Sequence, residues 1–352
     1  MKPVLFITGH VPASRRGAYA ALHERVGIEL ALFGGPHQHG APPGPPPAGV
    51  PARAVRQREI GRLVAEGDWS AVVAGTGGRV ALPLAWRAAR RRRIPFVFWA
   101  ALWRTPRVAA HVVALPLMRA IYRDADAIVT YGPHVSEYVA RHGAKRIFLA
   151  PQAVDNAFWS APAARGRGGP LRFGFAGRED RAKGLAVLLD GWRLAGFAPR
   201  EATLELAGPA AVALAGVSAR GQLGPEAMRD FYGACDVLVV PSVATRRFIE
   251  PWGLVVNEAM NQACAILASD AVGAAAGGLV VDRRNGLVVP AGQPRALAGA
   301  MRALAGDRER CEAQGRAGAH DVRAYTFAAW AEGFARALDG VWQRANAGRL
   351  TA

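Results

Sequence analysis

With 352 residues, about half of them apolar, the chain is too long for one ordinary domain and suits two, each able to bury a sizeable core. It carries 44 Lys and Arg against 27 Asp and Glu, a formal charge of +17, but only Lys2, Lys145 and Lys183 are lysines, and the arginines are scattered among Ala, Gly and Pro. That texture, with no basic tail or aromatic-basic interleaving, argues against nucleic-acid binding, and three widely spaced cysteines, Cys235, Cys264 and Cys311, argue against a disulfide framework and a zinc site.

The opening "MKPVLFITGH" holds a five-residue apolar run that reads as a first buried strand rather than a signal peptide. The strands "VLFITG", "IELALFG", "AVVAG", "PFVFWA", "AIVTYG" and "RIFLAP" follow in the first half. Between them come a Pro/Gly loop, "GGPHQHGAPPGPPPAG", and helices near Val55–Glu66, Arg79–Arg92 and Val108–Arg123. The apolar segment from Val108 is broken by His111, Pro116 and Arg119 and is too short to span a bilayer, so no transmembrane helix is expected, and a reducing cytoplasm fits the cysteines. "NAFWSAPAARGRGGP" reads as a linker.

Beyond it "LRFGFAG", "TLELAG", "VLVVPS", "AILAS" and "GLVV" read as strands, with helices near Ala182–Ala195, Pro225–Ala234, Gly253–Ala263 and Pro294–Ala305. "FAAWAEGFARALDGVWQRA" closes the chain as a long amphipathic helix. Alternating strands and helices in both halves predict an α/β protein of two Rossmann-like, doubly wound domains facing across a cleft. The boundaries fall at residues 1–153 and 154–325, with 326–352 as a helix packing back on the first domain. Charge is uneven: residues 1–155 hold 21 basic and 9 acidic side chains, the remainder 23 and 18.

Three stretches of the second half converge if ligands bind at the carboxyl ends of the strands. "FGFAGREDRAKG" releases Gly177 and Arg178 from a strand into a loop ending at Lys183, where a helix begins; glycine and two cations there suit a diphosphate. "RRFIEPWGLVVNEAM" places Glu250 before a Pro-Trp-Gly turn, with the amides near Gly253 and Leu254 at a helix N-terminus and Glu258 eight positions on, broadly on the same side in a regular helix. A carboxylate in so apolar a run needs a partner, to be supplied by ligand hydroxyls and the neighbouring Arg246 or Arg247. "GQLGPEAMRDFYGACDVLVVPS" offers Gln222 and Leu223 as a nucleotide-base shelf and ends its strand at Ser242.

These blocks, with "LAPQAVDNAFW" and "NGLVVPAG", resemble glycosyltransferase family four, of the GT-B fold, over roughly Asp126 to Pro290. The resemblance implies a retaining transferase of hexose-type sugars, with a nucleotide-diphosphate sugar (UDP or GDP) as co-substrate, no further cofactor and no obligatory metal. It implies that Arg178 and Lys183 neutralise the departing diphosphate, that Glu258 holds the ribose hydroxyls, and that Glu250, as nucleophile or as electrostatic stabiliser, contacts the donor sugar beside Trp252 and Gly253. The acceptor would be a glycan or a lipid-linked sugar received by the first domain.

Departures from the family concern that first domain. Its paired loop glycines are reduced to Gly17 in "PASRRGAYA", before a helix that looks short; a histidine is missing from "VFWAALWRTPR"; and "QACA" stands at Gln262–Ala265 in place of Cys-Gly-x-Pro. His10 and Arg16 remain as loop candidates for a phosphate or the acceptor, and Trp99 and Trp103 either line the acceptor pocket or fill core. Asp124-Ala-Asp126 formally matches a metal-binding pair, but its place before a strand favours a structural turn. "RVALPLAWRAARRRR", Arg79 to Arg93, is either a surface helix whose cationic end complements the dipole or, with the Val108–Tyr122 helix, a surface for anionic lipid. Two alternatives are a GT-B protein that epimerises or only binds a nucleotide sugar, and, from another class, a basic nucleic-acid-binding protein.

Overall fold

The computed structural model describes residues 2–34, 44–163, 169–208 and 211–350. Residues 35–43 of the Pro/Gly loop and 164–168 of the expected linker lie outside the described residues. The chain divides into two units, Met1–Ala153 with Thr326–Ala352, and Val154–Tyr325.

In the first unit β1 (Val4–Thr8), β2 (Ile28–Leu32), β3 (Ala52–Ala54), β4 (Ala71–Gly75), β5 (Phe96–Trp99), β6 (Ala127–Thr130) and β7 (Ile147–Leu149) form one sheet of order β3-β2-β1-β4-β5-β6-β7. Every pairing is parallel. Strand periodicity divides the core: Val4 and Phe6 enter the cluster on one face, Leu5 and Ile7 the cluster on the other. The helices are α1 (Arg16–Val26), α2 (Ile60–Glu66), α3 (Ala81–Arg92), α4 (Ala109–Asp124) and α5 (Pro133–Arg141). The helix expected to be short, α1, runs for 11 residues and stops at Gly27, whose φ of 66° turns the chain left-handed. Asp126 is structural: its carboxylate accepts from the Phe96 amide at 2.9 Å, while Asp124 pairs with Arg90 at 3.0 Å.

The second unit has β8 (Leu171–Ala176), β9 (Ala202–Ala207), β10 (Val217–Gly221), β11 (Val237–Val240), β12 (Ala265–Ser269) and β13 (Gly286–Val289), all parallel, in the order β10-β9-β8-β11-β12-β13. Its helices are α6 (Asn156–Trp159), α7 (Leu185–Ala195), α8 (Pro225–Ala234), α9 (Leu254–Asn261), α10 (Gly273–Ala276), α11 (Pro294–Ala305) and α12 (Arg308–Asp321). The strand order reverses between β8 and β11. In a doubly wound sheet this switch point leaves a crevice at the carboxyl ends of the two strands, and the loops that follow β8 and β11 border it.

The last helix, α13 (Phe327–Leu350), belongs to the first unit, where it packs along α1, β6 and β7. Its Trp330 and Phe334 enter the same buried cluster as Phe6 and Tyr19. No helix among the described residues is long and apolar enough to cross a membrane, and Cys235, Cys264 and Cys311 are buried thiols outside any disulfide.

Candidate functional site

The switch point of the second unit gathers the charged residues. After β8 the chain makes a short 3-10 turn, Arg181–Lys183, whose first amides are capped by Asp180: its carboxylate accepts from the Ala182 amide at 3.0 Å. Gly184 then joins that turn to α7 at φ 74°, and a Cβ there would lie 1.9 Å from the Pro241 carbonyl oxygen. Only glycine lets the two loops touch so closely. The contact is reinforced by the Val243 amide donating to the Ala182 carbonyl at 2.9 Å.

Held in this way, Lys183 Nζ lies 2.5 Å from Glu250 Oε2. Glu250 is only 7 % exposed, so an ammonium beside it offsets a desolvation cost that a lone carboxylate could not sustain. The expectation that Arg246 or Arg247 compensates Glu250 is corrected here, because both arginines are exposed on the loop and the cation comes from the β8 side. The main chain of Glu250 is pinned too: it bridges to Val272, and the Gly273 amide donates to the Glu250 carbonyl at 3.1 Å.

The two glutamates do not share one regular helix, since α9 begins only at Leu254. Gly253 sits at φ 92° as the N-cap of α9, which breaks helical register between Glu250 and Glu258. Glu250 therefore meets the β8 loop, whereas Glu258, inside α9, accepts a hydrogen bond from the Tyr232 hydroxyl of α8 at 2.8 Å. Burial raises the Glu258 carboxyl to about 7, and the Tyr232 bond pulls it partly back. Tyr232, fully buried, is itself pushed well above its ordinary value by desolvation and by the Glu258 charge.

The other expected donor residues are found in varied states. Gly177 follows β8, its amide donating to the Ala207 carbonyl at 3.0 Å. Arg178 is exposed, 3.8 Å from Asp180. Gln222 is exposed after β10 and donates to the Gly208 carbonyl at 3.2 Å, and Leu223 beside it is half-buried. Ser242 is buried, and its Oγ has no hydrogen-bond partner among the described residues. Leu254 is the half-buried first residue of α9, and no side chain caps that helix. The Trp252 side chain is committed to the interior: its indole donates to Asn257 Oδ1 at 2.8 Å, and its ring packs against Tyr325. Gln262, which opens "QACA", donates to the Ala161 carbonyl at 2.8 Å, which fastens the end of α9 to the segment after α6.

In the first unit the expected acceptor residues are less open. Gly17 is the second residue of α1, and a Cβ there would lie 2.4 Å from the Phe327 ring, so helix packing already requires a glycine. Trp99 is 8 % exposed and fills core, with ring centroids 5.7–5.8 Å from Phe6, Tyr131, Trp330 and Phe334. Trp103 is half-buried, edge-on to His134 at 5.2 Å. His10 follows β1 half-buried, and Arg16 opens α1 with its Nε buried and unpartnered among the described residues. The reading of the sequence passed over Arg15. Its guanidinium lies 5.1 Å from the Trp99 ring centroid and 5.8 Å from that of Tyr131, and it donates to Gln152 at 2.5 Å.

Residues 170–307, most of the second unit, match the family model for Glycosyl transferases group 1. Solved structures extend the likeness to the whole chain. Anabaena HepE, crystallised with UDP and glucose, superposes with a TM-score of 0.70 at 16 % identity, covering 96 % of this chain and 100 % of that one. The fold is GT-B. Sucrose-phosphate synthase from Thermosynechococcus elongatus shares this GT-B architecture at 19 % identity, with a TM-score of 0.70 over 99 % of this chain and 100 % of that one. The trehalose 6-phosphate synthase of Burkholderia multivorans does so at 14 % identity, with a TM-score of 0.72 over 98 % and 99 %. No curated protein matches the chain.

Proposed function

We propose that this GT-B protein is a retaining glycosyltransferase that moves a hexose-type sugar from a nucleotide-diphosphate sugar to a glycan or lipid-linked acceptor. The observation that carries the reading is the Lys183–Glu250 pair at the switch point, 2.5 Å apart in the segment that matches the group 1 transferase model. The solved relative crystallised with UDP and glucose supports a uridine nucleotide sugar as the first donor to test.

In this reading the second unit binds the donor and the first receives the acceptor. Lys183 and Arg178, rather than a metal ion, face the diphosphate; no cofactor beyond the co-substrate takes part. The bond from the anomeric carbon to the β-phosphate oxygen breaks with its electron pair on that oxygen. The acceptor hydroxyl attacks from the same face and its proton passes to the departing phosphate. Lys183 stabilises the charge that develops on the leaving group, and Glu250 lies where positive charge develops on the sugar. Glu258, held in place by the Tyr232 hydroxyl, takes the ribose hydroxyls, so catalysis is positioning together with leaving-group stabilisation.

A thermal-shift panel of nucleotide sugars tests binding, since a ligand at a hundred times its Kd adds about 2.7 kcal/mol to the folded state. Lys183→Ala and Glu258→Ala are each expected to shrink the shift given by the best donor while circular dichroism stays unchanged. Undiminished donor affinity in both variants ends the assignment of the site. The anomeric configuration of the product, read by NMR, decides between retention and inversion, and turnover of the nucleotide sugar without any acceptor would indicate an epimerase instead.

A further inference from the structure

The helix α4 is apolar yet poorly buried. Of its 16 residues only Ile121 and Tyr122 are buried, while Val112 and Val113 are 62 % and 80 % exposed. Val112, Pro116, Arg119 and Arg123 are spaced four, three and four residues apart, so they form one stripe along the helix. That stripe starts apolar and ends cationic.

At its cationic end α4 and α5 wall an open hollow of about 480 Å3 lined by Pro116, Arg119, Arg123, Arg141, His142 and Gly143. Arg141 has an exposed carboxylate, Glu137, at 3.4 Å, whereas Arg119 and Arg123 have no carboxylate partner among the described residues. The Arg90–Asp124 pair brings the end of α3 beside the end of α4, and with it the exposed run Arg91–Arg93. Asp124 and Glu137 thus each already face an arginine.

The geometry points to the α4–α5 face of the first unit as a docking surface for an anionic phospholipid bilayer, with Val112 and Val113 entering the acyl boundary and Arg119, Arg123 and Arg141 taking headgroup phosphates. Guanidinium forks suit phosphate oxygens, and short apolar side chains beside a cationic rim are the chemistry of interfacial binding. A dissolved anion would use the hollow but would have no use for the valines. The inference is independent of the donor site.

The test is co-sedimentation of the full chain with vesicles of equal parts phosphatidylcholine and phosphatidylglycerol, against pure phosphatidylcholine. The wild-type protein is expected to sediment with the anionic vesicles alone. Arg119→Glu with Arg123→Glu is expected to lower partitioning at least ~30-fold, since each basic side chain near such a surface contributes about fivefold. Val112→Asp with Val113→Asp is expected to lower it comparably, with circular dichroism unchanged in both. The control Arg58→Glu with Arg62→Glu carries the same charge change on exposed residues at and before α2 and is expected to lose far less. Failure of the wild type to sediment, a loss in the control equal to that of the α4 arginine pair, or full sedimentation of the valine variant overturns the proposal; in the last case the hollow is a site for a dissolved anion.

Discussion

Replacing Glu258 by glutamine isolates the cost of a carboxylate placed inside α9. Burial holds its carboxyl at about 7, against 4.5 for an unperturbed glutamate. Between these values the native protein keeps a proton that the unfolded chain has released, so this group's contribution to stability falls as pH rises through the window. At about 1.4 kcal/mol per pH unit the full loss between pH ~4 and pH ~8 is about 3 kcal/mol. Glu258→Gln keeps the size of the side chain and an acceptor for the Tyr232 hydroxyl, 2.8 Å away in the wild type, but does not titrate. Urea unfolding of both proteins at the two pH values gives the comparison, because every other titrating group cancels in the difference. The variant should gain about 3 kcal/mol on the wild type on going from the acid to the alkaline condition. A difference between the two proteins that does not change with pH would show that Glu258 ionises as an ordinary exposed glutamate and would refute the burial argument.

Three further outcomes follow from contacts elsewhere. Lys183→Met leaves Glu250, 7 % exposed, without its ammonium and should cost about 3 kcal/mol in urea unfolding, most of which Lys183→Met with Glu250→Gln should restore. Gly184→Ala sets a methyl 1.9 Å from the Pro241 carbonyl at φ 74° and should destabilise by about 2 kcal/mol or more, seen as a lowered Tm. Trp330→Ala empties a site bounded by Phe6, Tyr19, Trp99 and Phe334; a loss of about 3–5 kcal/mol is expected, and one under about 1 kcal/mol would mean that α13 does not hold the first unit together.

The central strands were legible because parallel strands covered on both faces read as unbroken apolar runs, as in "VLFIT" and "VLVV". Edge strands lack that signal. All three residues of β3 are exposed, β10 alternates half-buried with exposed positions, and neither was anticipated. α5 and α12 were missed as well; α12 spends much of its length on charged residues and buries only Cys311, Gln314, Gly315 and Gly318. Within the site, residue types and chain order were readable but partners were not. Lys183 and Glu250 are 67 positions apart, and only the pairing of β8 with β11 brings their loops together, so the nearest arginines in sequence were the wrong choice. Tyr232 was hidden for the same reason, since its hydroxyl reaches Glu258 from another helix. Trp99 could not be sorted by sequence between pocket and core, because that depended on where α13 would lie.

The placement of α13 also sets an order of assembly during synthesis. A chain made from its N-terminus presents residues 1–153 long before Trp330 and Phe334 exist, so the socket around Phe6 and Tyr19 stays open while the entire second unit is translated. The later-made unit owns all of its sequence first and can mature on the ribosome, whereas the earlier-made one must wait for residues 326–350 to emerge. A nascent chain stalled before Phe327 would hold an apolar trough in reach of chaperones.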